Sequence, residues 1–304
     1  MVDSLGSVSM DEKSIHILEY PKILERLASY CAFAGSADKA RALRPTADIE
    51  QACLWQDETA EAVQLLVTHP DLTIGGARDV RLQVDLARHG GVLTPVELLD
   101  IKSTLIAARN LSRLFERLKD LYPRLTEIVA RIPPLLGLVD AITRTVSERG
   151  EILDSASDKL AAIRHDLRIA YERLMSKLQR MISDPKMTPF LQEALITQRD
   201  GRYVIPLRTE FKGKIKAIIH DQSASGATLF VEPIGVVDLN NQFRELQLAE
   251  RDEERRILSE LSDLVGQQAD AILRTVEGVA DLDLAFAKAK YAEDLAAIQP
   301  VLHE

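Results

Sequence analysis

Residues 160–181, LAAIRHDLRIAYERLMSKLQRM, decide the fold. Leu160, Ile163, Leu167, Ala170, Leu174, Leu178 and Met181 follow one another at steps of three and four, which keeps them on one face of an α-helix. The stripe is narrow and heptad-like with one stutter, so it suits a rod packed along a single seam. Ser155-Ala156-Ser157-Asp158 ahead of it reads as a capping box, with aspartate in place of the usual Glu or Gln. At 1.5 Å per residue, roughly 30 residues of such helix reach about 45 Å.

Working outward, a second rod begins near Val237, its stripe carried by Leu239, Phe243, Leu246, Ile257, Leu261, Leu264 and Ile272. Its middle, QLAERDEERR at 247–256, is charged nearly all round and reads as solvated. Two rods of similar length predict an antiparallel pair within one chain. Between them the period changes from helical to extended. Tyr203–Leu207, Ile215–Ile219 and Ala227–Val231 read as strands, with turns at Arg199-Asp200-Gly201 and Lys212-Gly213-Lys214. Pro206 marks an edge or an irregularity.

Upstream the pattern is helical. Ile17, Leu18, Tyr20, Ile23, Leu24, Leu27 and Ala28 form one stripe; Gly35 interrupts, and Ala37–Leu43 makes a further short helix. Asp48 is an N-cap for a helix to about Thr68, Gly75-Gly76 a turn, and Val80–His89 another helix. Thr94, Pro95 and Glu97 form a helix start. The expected fold class is therefore mainly α: a helical core domain plus two long antiparallel helices carrying a small β-rich tip. The expected boundaries are a flexible tail over 1–13, the core over 14–150, the outgoing helix over 151–195 and the tip over 196–233. The returning helix follows over 234–280, and 281–304 leads back to the core.

Composition sets the outer bounds. The chain has 304 residues, 46% hydrophobic and 5% aromatic, with few glycines and prolines for its length, which favours long helices over sandwiches. Its formal net charge is −9, so any contact with a polyanion must be local. Cys31 and Cys53 are too few for a disulfide framework, and the opening residues lack a secretory pattern. No apolar run approaches a bilayer span. A reduced, cytoplasmic location without a membrane is the expectation.

His220, Asp221, Ser223 and Ser225 supply the residue types of a hydrolase within HDQSASGATLFVEP at 220–233. The serines share only Gly226, where a nucleophile elbow needs a glycine on each side, and neighbouring strand residues diverge. A tight structural turn fits better. No catalytic residue is expected. The six histidines are scattered and give no metal spacing; Gly213-Lys214 lacks the rest of a phosphate-binding loop. Neither a metal nor a cofactor is expected in this chain.

The candidate binding residues are Arg199, Arg202, Arg208, Lys212, Lys214 and Lys216, opposed over that stretch only by Asp200 and Glu210. In an extended segment the three alternating lysines would share one face and suit a phosphate backbone. An edge strand guarded by lysines against aggregation is the competing explanation.

Several phrases resemble one family: IGGARDVRLQVDLARHGGVLTPVELLDIKSTLIAARNLSRLFERL at 74–118, GEILDSASDKLAAIR at 150–164, RDGRYVIPL at 199–207, IIHDQSASGATLFVEP at 218–233, VDLNN at 237–241 and DLDLAFAKAKYA at 281–292. They resemble the bacterial MutS-type paralogue written MutS-two, which is distinct from the MutS that starts mismatch repair. The resemblance implies a helical core, a lever made of the two long helices and a clamp at the β-rich tip. It implies that an ATPase domain using ATP and Mg, and then a nuclease domain, follow in the parent, so this chain itself is expected not to be an enzyme. For the parent it implies homodimerisation, suppression of homologous recombination through branched DNA, and sensing and splitting of collided ribosomes through rRNA contacts. The six basic residues would then touch phosphates. The alternative is a non-catalytic helical module for dimerisation or docking.

Overall fold

The computed structural model describes residues 12–134 and 137–302, which are mainly helical with one four-stranded antiparallel sheet. Of the tail expected over 1–13, residues 1–11 lie outside the described residues, and Glu12 and Lys13 open the first helix. The chain divides into two compact units: residues up to Glu151 together with those from Leu258 onward, and Ile152–Ile257.

The first unit is all helical: α1 (Glu12–Ile17), α2 (Tyr20–Ala28), α3 (Ala34–Ala42), α4 (Ile49–Thr68), α5 (Arg81–Arg88), α6 (Pro95–Leu118), α7 (Pro123–Ala130) and α8 (Leu138–Thr145). The start signals act as their chemistry requires. The Asp48 carboxylate accepts the backbone N–H groups of Glu50 and Gln51, and Thr94 and Glu97 close a reciprocal capping box. Gly35 departs from expectation. It lies inside α3, because a Cβ there would stand 2.8 Å from the Phe33 ring: close packing, not helix breaking, selects the glycine.

The second unit, Ile152–Ile257, opens with α9 (Asp158–Ile182) and contains β1 (Thr197–Arg199), β2 (Arg202–Arg208), β3 (Ala217–Gln222) and β4 (Thr228–Pro233). The next helix, α10 (Val237–Gln267), starts in this unit and continues past its last residue; α11 (Ala269–Asp294) belongs to the first unit. A break at Gln268 thus puts Ile272 on a different helix from the rest of its sequence stripe. In the first unit α11 is the central element, buried over most of Thr275–Ala289 and packed with Phe115, Leu125 and Ile128.

Within the second unit α9 and α10 are antiparallel, since contacts descend α10 as they ascend α9: Ser157 meets Glu253, Arg164 meets Glu250, and Tyr171 meets Phe243. Two sequence expectations are corrected here. The α9 cap is Ser157, whose hydroxyl accepts the Leu160 N–H at 2.9 Å, while 154–156 is a 3-10 turn. The charged middle of α10 is not solvated all round. Glu253 is 1% exposed, held by the Ser157 hydroxyl (2.8 Å), the Lys159 ammonium (3.0 Å) and Arg256 (2.6 Å). Arg164 reaches Asp154, Glu250 and Glu254 at 2.6–2.8 Å. Apolar side chains stop at the seam, and ion pairs continue it.

Arg256 first, then Lys159, hold the Glu253 carboxyl down at about 2. Its folded form therefore binds a proton less readily than its unfolded form. The stabilisation is complete above the ordinary glutamate range and drains as the pH falls toward about 2. Glu253→Gln is expected to flatten the acid limb of a stability profile followed by far-UV circular dichroism. An unchanged limb would remove this network from the account.

The strand order is β1-β2-β4-β3, every neighbour antiparallel. Since β2 and β3 both oppose β4, they are parallel to each other, and residues 209–216 between them must cross from one end of β4 to the other. The sequence reading started the second strand at Ile215; the ladder begins at Ala217, because the preceding residues are spent on that crossover. Pro206 sits where β2 has outrun β1, and its carbonyl accepts the Gln192 N–H. Asn240 of α10 ties the sheet down. Its side chain accepts the Tyr203 N–H and donates to the Tyr203 carbonyl, both at 3.0 Å.

Candidate nucleic-acid interface

The crossover explains how a basic segment stays exposed. Thr209–Phe211 forms a 3-10 turn; the Lys212 N–H donates to the Thr209 carbonyl and the Lys214 N–H to that of Phe211, both at 3.0 Å. Gly213, at φ 84°, supplies the left-handed residue of this bend. Phe211 packs on Phe190 with ring centroids 5.1 Å apart, and Phe211, Ile215 and Ala217 lie against the apolar cluster of Leu191, Leu207 and Leu229. These anchors face inward. Lys212, Lys214 and Lys216 are exposed, and none pairs with a carboxylate among the described residues. The lysines therefore sit on a crossover bend rather than along an extended strand.

The three arginines are engaged within the sheet. Arg199 donates to the Asp221 carboxylate at 3.0 Å and lies over the Phe230 ring at 3.9 Å. Arg202 pairs at 3.3 Å with Glu232, which is 1% exposed and also bonded to His220 Nε2 at 2.7 Å. Arg208 donates from Nε to the Leu191 carbonyl at 3.1 Å. The structure thus splits the six residues into three partnered arginines and three open lysines.

The serine stretch is a locked hairpin turn. Ser223 Oγ accepts the Thr228 N–H, Gly226 takes φ 74°, and the Gln222 amide donates to the Gly226 carbonyl. Thr209 ties this turn to the start of the crossover, donating from its hydroxyl to the Gly226 carbonyl at 2.6 Å. His220, at a bulge in β3, bonds Glu232, while Asp221 turns to Arg199. Neither bonds a serine hydroxyl. No group of His, Cys, Asp and Glu able to hold a metal occurs among the described residues.

Sequence reasoning passed over Glu232 and Phe230, which anchor Arg202 and Arg199. The signal was present: they stand two apart on β4 and share a face.

No protein-family profile matches the chain. Curated relatives do. An endonuclease MutS2 from Thermomicrobium roseum is 44% identical over 298 residues, 97% of this chain and 37% of the relative. Those from Geobacillus sp. strain WCH70 and Bacillus cytotoxicus are each 40% identical, again over 97% of this chain and 38% of theirs. The chain is a partial MutS2 region. It spans less than two fifths of the length of the curated relatives it matches.

In this MutS2 region the phrases quoted from the sequence have visible structural work. Within RDGRYVIPL, Gly201 (φ 77°) bends between β1 and β2, Arg202 meets buried Glu232, and Tyr203 meets Asn240. No helix among the described residues is long and apolar enough to cross a membrane.

Proposed function

We propose that this MutS2 region grips nucleic acid, on branched DNA or within a ribosome, with Lys212, Lys214 and Lys216 as its phosphate contacts. The carrying observation is their placement. Lysines that guard an edge strand lie along its unpaired ladder, whereas the β3 ladder begins only after Lys216, and the crossover holds all three outward on partly buried anchors. Arg199, Arg202 and Arg208 then serve chiefly to shape the surface. In this reading the antiparallel α9–α10 pair is a lever and the sheet a clamp tip. ATP and Mg chemistry and nuclease activity belong to the remaining length of the relatives, and a homodimer of the whole protein brings two such arms together. The activity served is suppression of recombination or the sensing and splitting of collided ribosomes.

The test is a titration of a labelled four-way DNA junction with the chain across a salt series, with intact ribosomes as competitor. Replacing the three lysines by alanine is expected to weaken binding and reduce the salt slope by about one per lysine, roughly three in all. Ser223→Ala and Ser225→Ala should leave affinity and slope unchanged. If the lysine variant binds as tightly as the parent, the crossover is not the contact. If the parent binds neither partner while light scattering shows self-association, the chain is a helical dimerisation or docking module instead.

A further inference from the structure

The first unit carries a second cationic surface that the reading above does not use. Arg109, Arg113 and Arg117 stand at four-residue steps along α6, all exposed, and among the described residues none has a hydrogen-bond or ion-pair partner. The nearest acid in sequence, Glu116, is held by Lys119 at 3.1 Å. These arginines, with the Lys119-paired Glu116 among them, form one wall of a groove of about 660 Å³ whose lining also includes the aliphatic Ile132, Pro134 and Val139. The volume lies within the range of about 300–1,000 Å³ that receives ligands and anchoring side chains.

We propose that this face of α6 docks an acidic amphipathic helix of a protein partner. Successive arginines rise by about 6 Å along the axis, the rise between carboxylates placed every fourth residue on a facing helix. The match holds for both steps between the three arginines, and a guanidinium takes a carboxylate with a two-pronged fork. The apolar residues adjoining those carboxylates then fall into the aliphatic groove, as in other helix-in-groove complexes. A nucleic-acid strand fits less well. The described lining has no aromatic ring for a base to stack on, and phosphates would engage the arginines while leaving the aliphatic side wet.

The experiment uses the 304-residue chain and a fluorescein-labelled, hydrocarbon-stapled helical peptide with glutamate at every fourth position beside a leucine face. Three further probes are the same peptide with leucines changed to serine, the same with glutamates changed to lysine, and oligo-dT. The glutamate–leucine peptide is expected to bind, and both altered peptides to bind at least about tenfold more weakly. Joint Arg109→Glu, Arg113→Glu and Arg117→Glu should abolish binding with unchanged helicity, and Ser112→Trp, which fills the groove from its wall, should weaken it. Reversing Lys212, Lys214 and Lys216 should not affect it, so failure of this proposal is separable from failure of the nucleic-acid reading. No binding of the glutamate–leucine peptide would overturn the proposal. So would equal binding of the serine peptide, which would reduce the site to charge alone, or tighter arginine-dependent binding of oligo-dT, which would make it a nucleic-acid track.

Discussion

Phe243→Ala is expected to lower the stability of the second unit by about 3–5 kcal/mol, the usual cost of truncating a buried aromatic ring. Phe243 is 6% exposed and stands where three elements meet: its ring centroid is 5.8 Å from that of Tyr171 on α9 and 5.7 Å from that of Tyr203 on β2. Those two rings also meet edge-on, at 5.7 Å, so the three aromatics close a triangle. Removing one vertex costs apolar burial and leaves a cavity at the junction of helix pair and sheet. Hydrogen exchange at β2 and β4 amides should accelerate, and trypsin should cut faster after Lys212 and Lys214. Unchanged amide protection would show that the sheet is held by other contacts, Asn240 foremost.

Asp283→Ala is expected to cost the first unit about 3 kcal/mol, because it leaves the buried Phe33 N–H and the part-buried Ala32 N–H without an acceptor and leaves the Ser36 hydroxyl only the Phe33 carbonyl. Asp283 Oδ2 accepts the backbone N–H groups of Ala32 (2.9 Å) and Phe33 (3.1 Å) and the Ser36 hydroxyl, all converging on a residue 1% exposed. Burial pushes its carboxyl up while these hydrogen bonds oppose the rise. Trp55, the single tryptophan, lies on α4 with the Lys288 ammonium of α11 5.4 Å from its ring, so its fluorescence reports on this unit during urea unfolding. Asp283→Asn should recover part of the loss by restoring one acceptor. A full-strength alanine variant would mean that water satisfies the α3 entrance.

What could be read from residue spacing was what spacing encodes. The α9 stripe from Leu160 to Leu178 and the Thr94 start of α6 need no distant partner to be recognised, and both stand as expected. Features that depend on a partner far along the chain were hidden. Glu253 looks solvated until Ser157, Lys159 and Arg164 come to meet its stretch of helix from nearly a hundred positions away. β1 is too short to show a pattern and exists because β2 offers it an edge.

The basic segment shows how an exposed face can arise from a different local geometry than the one its spacing suggests. Lys212-Gly213-Lys214 read as a turn, while the alternation of Lys212, Lys214 and Lys216 suggested one shared face if the segment were extended. Burial does alternate, but the cause is Phe211 and Ile215 anchoring a crossover. Gly213, beside the 3-10 turn, was the local sign of a bend. Sequence alone could not separate arginines from lysines by availability, since Asp221 and Phe230 claim Arg199, Glu232 claims Arg202 and the Leu191 carbonyl claims Arg208 only after the sheet has formed. The arginine row of α6 was legible as a four-residue repeat, but its meaning depends on the aliphatic lining that α8 and its connection to α7 bring beside it.

The interrupted make-up of the first unit sets an order of events on the translating ribosome. Once residue 257 has emerged, every contact of the intervening unit is available, and it can close by itself. The surrounding unit must wait. Phe115, Leu125 and Ile128 face the place that α11 will occupy, and until α11 is delivered the earlier helices hold an apolar trough open to water. The part made first is thus completed last, and in that interval the nascent chain most needs shielding from its neighbours.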